Sequence, residues 1–153
     1  RFHSCHESGL LEHSLNVFHA LTAKKTTGIW QKKLKDVADE SLAICALLHD
    51  LCKTYFYITD YRNKKNKQGI WERVSYYTID DKIPYGHGEK SVMMIEEYIK
   101  LLPVERYAIR WHMGWTEPKE NYNALGTAME KYPLILALHE ADLEATYLME
   151  EKQ

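Results

Sequence analysis

His49 and Asp50 are adjacent in the chain, and their types most directly suggest chemistry. They follow the apolar run of residues 42–48, which has the composition of a buried helix, and a buried carboxylate is costly unless a cation or a donor compensates it. An imidazole beside a carboxylate suits divalent ions such as iron, manganese, nickel or zinc, and the carboxylate can bridge two of them. For the pair alone, a surface or helix-capping role is the alternative.

Further polar residues stand where the local pattern would place apolar ones. They are His13 in the first predicted helix, His87 at the start of a later one, His112 at the end of another, and Asp142 in an apolar stretch near the C-terminus. The chain has 8 histidines among 153 residues, more than a structural core usually requires. The set as a whole favours metal binding.

In chain order, these residues resemble the signature of the HD-domain superfamily of metal-dependent phosphohydrolases. The matching stretches span nearly the whole chain: residues 9–15 (GLLEHSL), 47–53 (LLHDLCK), 86–91 (GHGEKS), 111–114 (WHMG) and 141–142 (AD). The resemblance implies a mostly α fold, an HD-domain helical bundle whose core helices present these side chains to a shared cleft.

The resemblance also implies which residues hold metal. One divalent ion would be held by four of them: His13, His49, Asp50 and Asp142. Two more match the branch of the family that binds a second ion, with Asp50 bridging the two ions: His87 and His112. We therefore expect two divalent ions (iron, manganese, nickel or zinc) and a metal-bridged hydroxide that attacks phosphorus in line with the leaving oxygen. Asp50 and Lys53 are the expected catalytic residues.

Lys53, Arg110 and His139 are the candidate substrate-binding residues. Lys53 lies four residues after His49, on roughly the same helical face, where its ammonium could stabilise a phosphate oxygen; a cation favoured by the helix dipole is the alternative. Arg110 could grip a phosphate with its planar guanidinium, although pairing with a surface acid is the commoner outcome. His139 shares a helix face with Asp142 and is expected to contact substrate or to support a ligand.

The composition indicates one folded domain over residues 1–153. Hydrophobic residues make up 45% and charged residues 27%, with 7 Gly and 4 Pro, which excludes a disordered or low-complexity chain. A formal net charge of -2 excludes an overall basic field for nucleic acid and leaves only a local patch. Cys5, Cys45 and Cys52 show no CxxC spacing, which favours a reducing, cytoplasmic setting. No apolar run reaches the roughly 20 residues that span a bilayer, so no membrane partner is expected.

Apolar spacing predicts the elements that must position these residues. A helix is expected over residues 8–24 with Ser8 as its N-cap, and a second from residue 36 or 41 to about Lys53. Further helices are expected over residues 87–102, 104–112, 123–131 and 133–150, with prolines at two of the boundaries.

Residues 54–79 predict an inserted β-hairpin, because two runs rich in aromatic and β-branched residues flank a polar segment. Tyrosines and a tryptophan are interleaved there with lysines and arginines, a composition that could stack bases and attract a phosphate backbone. The alternative, favoured on general grounds, is that the aromatic rings pack the hairpin onto the helices while the lysines keep its tip soluble.

The favoured hypothesis is a metal-dependent phosphohydrolase, a phosphatase or phosphodiesterase, acting on a nucleotide or related small phosphate ester. A second hypothesis keeps the two-metal site but makes it a diiron oxygenase. A third makes the chain a non-catalytic metal- or nucleotide-binding sensor or a nucleic-acid-binding module. Helical domains of this kind often pair, so a homodimer is also considered.

Overall fold

The computed structural model describes residues 8–55, 57–81 and 85–150. Within these ranges the chain forms seven α-helices and two strands: α1 (Gly9–Lys24), α2 (Gly28–Lys33), α3 (Asp39–Leu48), β1 (Tyr57–Lys65), β2 (Trp71–Ile79), α4 (His87–Glu96), α5 (Pro103–Trp111), α6 (Tyr122–Lys131) and α7 (Pro133–Glu144). The expected mostly α domain with one inserted hairpin is confirmed. None of the helices described is long and apolar enough to cross a membrane.

Four helices, α1, α3, α5 and α7, enclose the apolar core. α1 packs against α3 and α7, and α5 packs against α3, α4 and α7. The buried residues recur every three or four positions, as Val17 and Leu21 do on α1 and Leu138 and Ala141 do on α7. This spacing gives each helix one apolar face, and these faces pack against one another in the core.

The buried carboxylate of Glu105 joins α5 to α3. It accepts a hydrogen bond from the Ser41 hydroxyl at 2.7 Å and another from the backbone N–H of Leu102 at 2.7 Å. The second bond satisfies an N–H at the start of α5, where Pro103 occupies the first turn and has no N–H to donate. The bond from Ser41 therefore links α3 to α5.

The helix α3 ends at Leu48 rather than near Lys53, as its apolar pattern predicts. Residues Leu51–Tyr55 continue as a 3-10 turn, in which the Lys53 N–H donates to the Asp50 carbonyl at 2.9 Å. The side chain of Lys53 is therefore not placed by helical four-residue spacing, contrary to the expectation.

The helix α4 ends at Glu96 rather than at Leu102. The turn that follows buries Leu101 in the core, and Pro103 holds the residue before it in an extended conformation, with φ -67° and ψ 154° at Leu102. A straight helix through these residues would point Leu101 away from the core.

Three other details differ from the sequence-based expectation. Ser8 occupies the N-cap position of α1, but it has a left-handed backbone, φ 68°, and its side chain makes no capping hydrogen bond. The short helix α2 was not predicted. The last helix ends at Glu144, and a π turn covers Ala145–Met149. Cys5 lies outside the described residues.

The strands β1 and β2 form a two-stranded antiparallel ribbon. Its register pairs Tyr57 with Ile79 at the base and Lys65 with Trp71 near the tip. Because cross-strand partners share a face and successive residues alternate, the odd-numbered residues of both strands lie on one face and the even-numbered residues on the other. Residues 54 and 55, predicted as strand, belong to the preceding 3-10 turn.

The aromatic residues of the ribbon do not all pack onto the helices. Tyr61, Trp71 and Tyr77 are exposed, whereas Tyr57 and Tyr76 are half-buried. The structural alternative, in which the rings serve to dock the ribbon on the body, is therefore wrong for the first three.

Candidate metal centre

Five side chains converge where α1, α3, α5 and α7 meet. They form two overlapping groups, and in each group the candidate ligand atoms lie within 4.8 Å of one another: His13, His49 and Asp142 in the first, and His49, Asp50 and His112 in the second. All are buried except Asp142, which is partly exposed. The structure thus brings together five of the six residues that the sequence singled out as metal ligands, and these five are named the cluster.

The rings of His49 and His112 are held in the same way at the ends of two helices. His49 is the C-cap of α3, and its Nδ1–H donates to the Ala46 carbonyl at 2.9 Å. His112 is the C-cap of α5, and its Nδ1–H donates to the Ile109 carbonyl at 2.7 Å. A helix end leaves carbonyls to be satisfied, and here each ring does so. Because this bond uses the Nδ1–H, each Nε2 faces the cluster and offers a lone pair there when the ring is neutral.

His13 is oriented by an acid that sequence reasoning missed. The Glu150 carboxylate lies 2.6 Å from His13 Nδ1, and His13 Nε2 lies 3.2 Å from Asp142 Oδ1. Glu150 follows the π turn directly, in extended backbone. A carboxylate that accepts the outer N–H of a histidine fixes its tautomer and raises its basicity, which is the usual support for a metal-binding imidazole.

His139 supports the segment that follows α5. Its Nδ1–H donates to the His112 carbonyl at 2.7 Å. The ring also lies against Gly114, where φ is +58° and a Cβ would come within 2.5 Å of the imidazole. Gly114 is therefore required both by its backbone conformation and by the ring beside it. This contact agrees with a supporting role for His139, while substrate binding by this residue stays a prediction.

Asp50 stands at the middle of the cluster. Its Oδ1 lies 3.5 Å from His112 Nε2, and its Oδ2 lies 3.6 Å from His49 Nε2 and 3.8 Å from His13 Nε2. The ammonium of Lys53 contacts the same Oδ2. Lys53 therefore reaches the cluster through a carboxylate that is also a candidate ligand, and its predicted contact with a phosphate oxygen stays a prediction.

The chemistry of the donor set fits a divalent cation. Among residues 8–55, 57–81 and 85–150, no hydrogen-bond partner is found for three buried atoms: His49 Nε2, Asp50 Oδ1 and His112 Nε2. A buried polar group left without a partner costs about 1–3 kcal/mol. One cation satisfies imidazole lone pairs and a carboxylate oxygen together, and the C-terminal ends of α3 and α5 add the negative ends of two helix dipoles.

The electrostatics of the metal-free cluster show how its charges are shared. Burial lowers the pKa of His49 to about 4, so this ring is neutral. Burial would raise the pKa of Asp142, but the hydrogen bond from His13 and the nearby imidazoles lower it to about 2. For Asp50, the neighbouring imidazoles and Lys53 likewise outweigh burial and hold the pKa well below its usual range. Both carboxylates are therefore ionised at neutral pH.

The other two histidines of the cluster, His13 and His112, have raised pKa values, in contrast to His49. Burial lowers the pKa of His13 and His112, but the carboxylates beside them outweigh this effect: Asp142 and Glu150 for His13, and Asp50 for His112. Both pKa values are raised, so protons on these rings compete with a metal ion.

Besides Lys53 and His139, two more predicted site residues lie outside the cluster. His87, predicted as a second-metal ligand, is half-buried at the start of α4 with its Nδ1 3.5 Å from the Cys52 sulfur, and it belongs to neither group. Arg110 is held by two carboxylates, at 3.0 Å from Glu117 and 2.5 Å from Glu89. This is the acid pairing that the sequence offered as the alternative to phosphate. Metal binding by His87 and substrate binding by Arg110 stay predictions.

A family model described as HD domain matches residues 10–148 of the chain. The matched span contains every residue of the cluster, while Glu150 lies beyond it. No curated protein and no solved structure matches the chain.

Proposed function

Because the chain belongs to the HD-domain family, we propose that it is a metal-dependent phosphohydrolase that cleaves a phosphomonoester or phosphodiester of a nucleotide or related compound. One observation carries the proposal. Three buried atoms that could bind a metal, His49 Nε2, Asp50 Oδ1 and His112 Nε2, lie close together and have no hydrogen-bond partner among the described residues. Nearly all buried polar atoms in folded proteins have a partner, and a bound ion would supply one for these three.

The five residues of the cluster would hold two divalent ions, with Asp50 offering an oxygen to each. Its two oxygens support this role, because Oδ1 faces His112 while Oδ2 faces His13 and His49. Bound there, a divalent cation supplies Lewis acidity, which lowers the pKa of water and neutralises charge on phosphoryl oxygens. The rings need no reorientation to bind, since each Nδ1–H is already held: by backbone carbonyls for His49 and His112, and by Glu150 for His13.

Lys53 favours a phosphate ester over the substrate of an oxygenase. Its ammonium lies mostly buried beside Asp50, and Asp50 and Asp142 raise its pKa despite burial, so it stays charged. A fixed cation at this place stabilises the negative charge that grows on a phosphoryl oxygen during hydrolysis.

The direct test is hydrolysis of p-nitrophenyl phosphate and bis(p-nitrophenyl) phosphate by the purified chain, measured with EDTA, with Mn²⁺ and with Fe²⁺. We expect metal-dependent release of nitrophenolate from one of the two esters, and a larger loss of kcat than of substrate affinity in Lys53→Gln. Lys35→Gln, which removes a lysine that is 70% exposed, is the matched control and should hydrolyse as the wild type does. Absence of turnover on both esters with metal bound to the protein would contradict the proposal.

A further inference from the structure

The two faces of the ribbon differ sharply in charge. The odd-numbered face holds no carboxylate, and its aromatic and basic residues are Tyr57, Tyr61, Lys65, Trp71, Arg73 and Tyr77. The even-numbered face holds two carboxylates and two cations: Asp60, Glu72, Arg62 and Lys64. The positive charge of the ribbon is thus balanced on one side and unbalanced on the other.

The unbalanced face is also the more exposed one on β2, while on β1 every residue after Tyr57 is exposed, whichever face it lies on. On β2 every odd-numbered residue is exposed, whereas Val74, Tyr76 and Thr78 of the even-numbered face are half-buried. Trp71 is 65% exposed and Tyr61 is 54% exposed. Several exposed aromatic rings on one face form a patch, and such patches mark interaction sites more often than single exposed rings do.

The two cations of the odd-numbered face lie over rings rather than against acids. The Lys65 ammonium is 5.2 Å from the centre of the Trp71 ring, and the Arg73 guanidinium is 4.5 Å from the centre of the Tyr61 ring. Within the described part of the chain, neither cation pairs with a carboxylate. Both charges remain available to an anion that also offers flat rings to stack on the aromatic side chains.

The base of the same face leads to the cluster. Tyr57 begins β1 on the odd-numbered face, two residues after the 3-10 turn Leu51–Tyr55 that contains Lys53, and β1 contacts that turn. Lys53 in turn contacts Asp50. A ligand lying along the ribbon from Trp71 to Tyr57 would therefore end beside the candidate metal centre.

We propose that the odd-numbered face of the ribbon binds a single-stranded polynucleotide and directs a phosphodiester of that strand toward the cluster. Bases stack on Trp71, Tyr61 and Tyr77, and phosphates contact Lys65 and Arg73. Sequence-independent platforms for single strands combine these same two elements, aromatic stacking and a cationic track. The proposal rests on the proposed function for its chemistry, but not for binding.

The test is fluorescence anisotropy of a fluorescein-labelled oligothymidylate of roughly 12 nucleotides, within known site sizes, titrated with the chain in EDTA at several salt concentrations. We expect Trp71→Ala to weaken binding about tenfold, since one stacked base contributes roughly that factor. The double variant Lys65→Gln/Arg73→Gln should weaken binding and lower the slope of log K against log salt by about 1.4, because each phosphate that is no longer neutralised lowers it by about 0.7.

The matched control is Arg62→Gln/Lys64→Gln, which removes the same charge from the opposite face. It should change affinity less than about twofold if binding is confined to one face and not a response to net charge. Equal losses from the two double variants would overturn the proposal, as would no binding by the wild type. Competition by polyglutamate as strong as that by unlabelled oligonucleotide would assign the face to an acidic protein and also overturn it.

Because the titration contains no metal, its failure is distinct from failure of the proposed function. Oligonucleotide binding without hydrolysis of either nitrophenyl ester defeats the hydrolase and leaves the ribbon proposal standing. Ester hydrolysis without oligonucleotide binding defeats the ribbon proposal alone.

Discussion

The cluster and the ribbon place polar and apolar groups in opposite surroundings. In the cluster, imidazoles and carboxylates are withdrawn from water, and His13, His49 and His112 are each held through Nδ1. In the ribbon, aromatic rings such as Trp71 and Tyr61 stand in water with cations lying over them. A metal ion would satisfy the first arrangement, whereas a ligand with flat rings and negative charge would fit the second.

The two regions also differ in how firmly they hold the side chains that would contact a ligand. A metal ion needs donor atoms fixed to a fraction of an ångström, and α3 and α5 provide this by ending at His49 and His112. A flexible strand needs flat surface and charge but little fixed geometry, and a ribbon that projects from the 3-10 turn provides both. Changes in the two regions should therefore have effects of different kind and size.

The largest effect is expected from removing the central carboxylate. Asp50→Asn keeps the shape of the side chain but removes the charge that faces three imidazoles and Lys53, so ester hydrolysis should fall to the background rate and bound metal should be lost. Elemental analysis and the nitrophenyl ester assays measure the two outcomes. Asp36→Asn changes an aspartate that is 88% exposed and should leave both unchanged. Normal turnover in Asp50→Asn would place the reaction elsewhere.

A smaller effect is expected from the acid that supports His13. Glu150→Gln can still accept a hydrogen bond but has no charge, so the basicity of His13 should fall and metal affinity should weaken about 10- to 100-fold. Isothermal titration calorimetry with Mn²⁺ measures the metal affinity. Glu140→Gln is the control, because Glu140 pairs with Lys24 away from the cluster. Unchanged affinity would reduce the His13–Glu150 contact to a packing role.

Metal affinity should also depend on pH in a direction set by the cluster. Carboxylates raise the pKa of His13 and His112, so these rings hold protons at higher pH than free imidazole, and a metal ion must displace them. Below these pKa values, affinity should fall about tenfold per pH unit for each proton displaced, and above them it should level off. Oligonucleotide binding by the ribbon should stay flat over the same range, because lysine and arginine remain charged. Titrations from about pH 8 to about pH 5.5 compare the two.

The smallest effect is expected on folding. Trp71→Ala removes a side chain that is 65% exposed, so the free energy of unfolding should change by less than about 0.5 kcal/mol. Leu138→Ala, in the core between the helices, should cost about 2–5 kcal/mol. Urea denaturation measures both. A loss above about 1 kcal/mol in Trp71→Ala would mean that the ring packs against the body.

The sequence could predict the cluster because its residues interrupt apolar helical repeats, as His13 and Asp142 do. It could not predict Glu150, because its contact with His13 depends on the π turn after α7, which the apolar pattern does not indicate. It missed α2, since six residues are too few to establish a helical period. It also could not tell which face of the ribbon lacks carboxylates, because both faces carry aromatic residues and cations, and only the register places Asp60 and Glu72 on the same face.

Metal content per chain tests the central claim most directly. The chain is purified without chelators or added metal, then measured by elemental mass spectrometry before and after incubation with Mn²⁺ or Fe²⁺ and removal of the excess. Two ions per chain in the wild type are expected, and their loss in Asp50→Asn but not in Asp36→Asn. A wild-type chain that holds no divalent ion after incubation would contradict the assignment of the cluster as a metal centre.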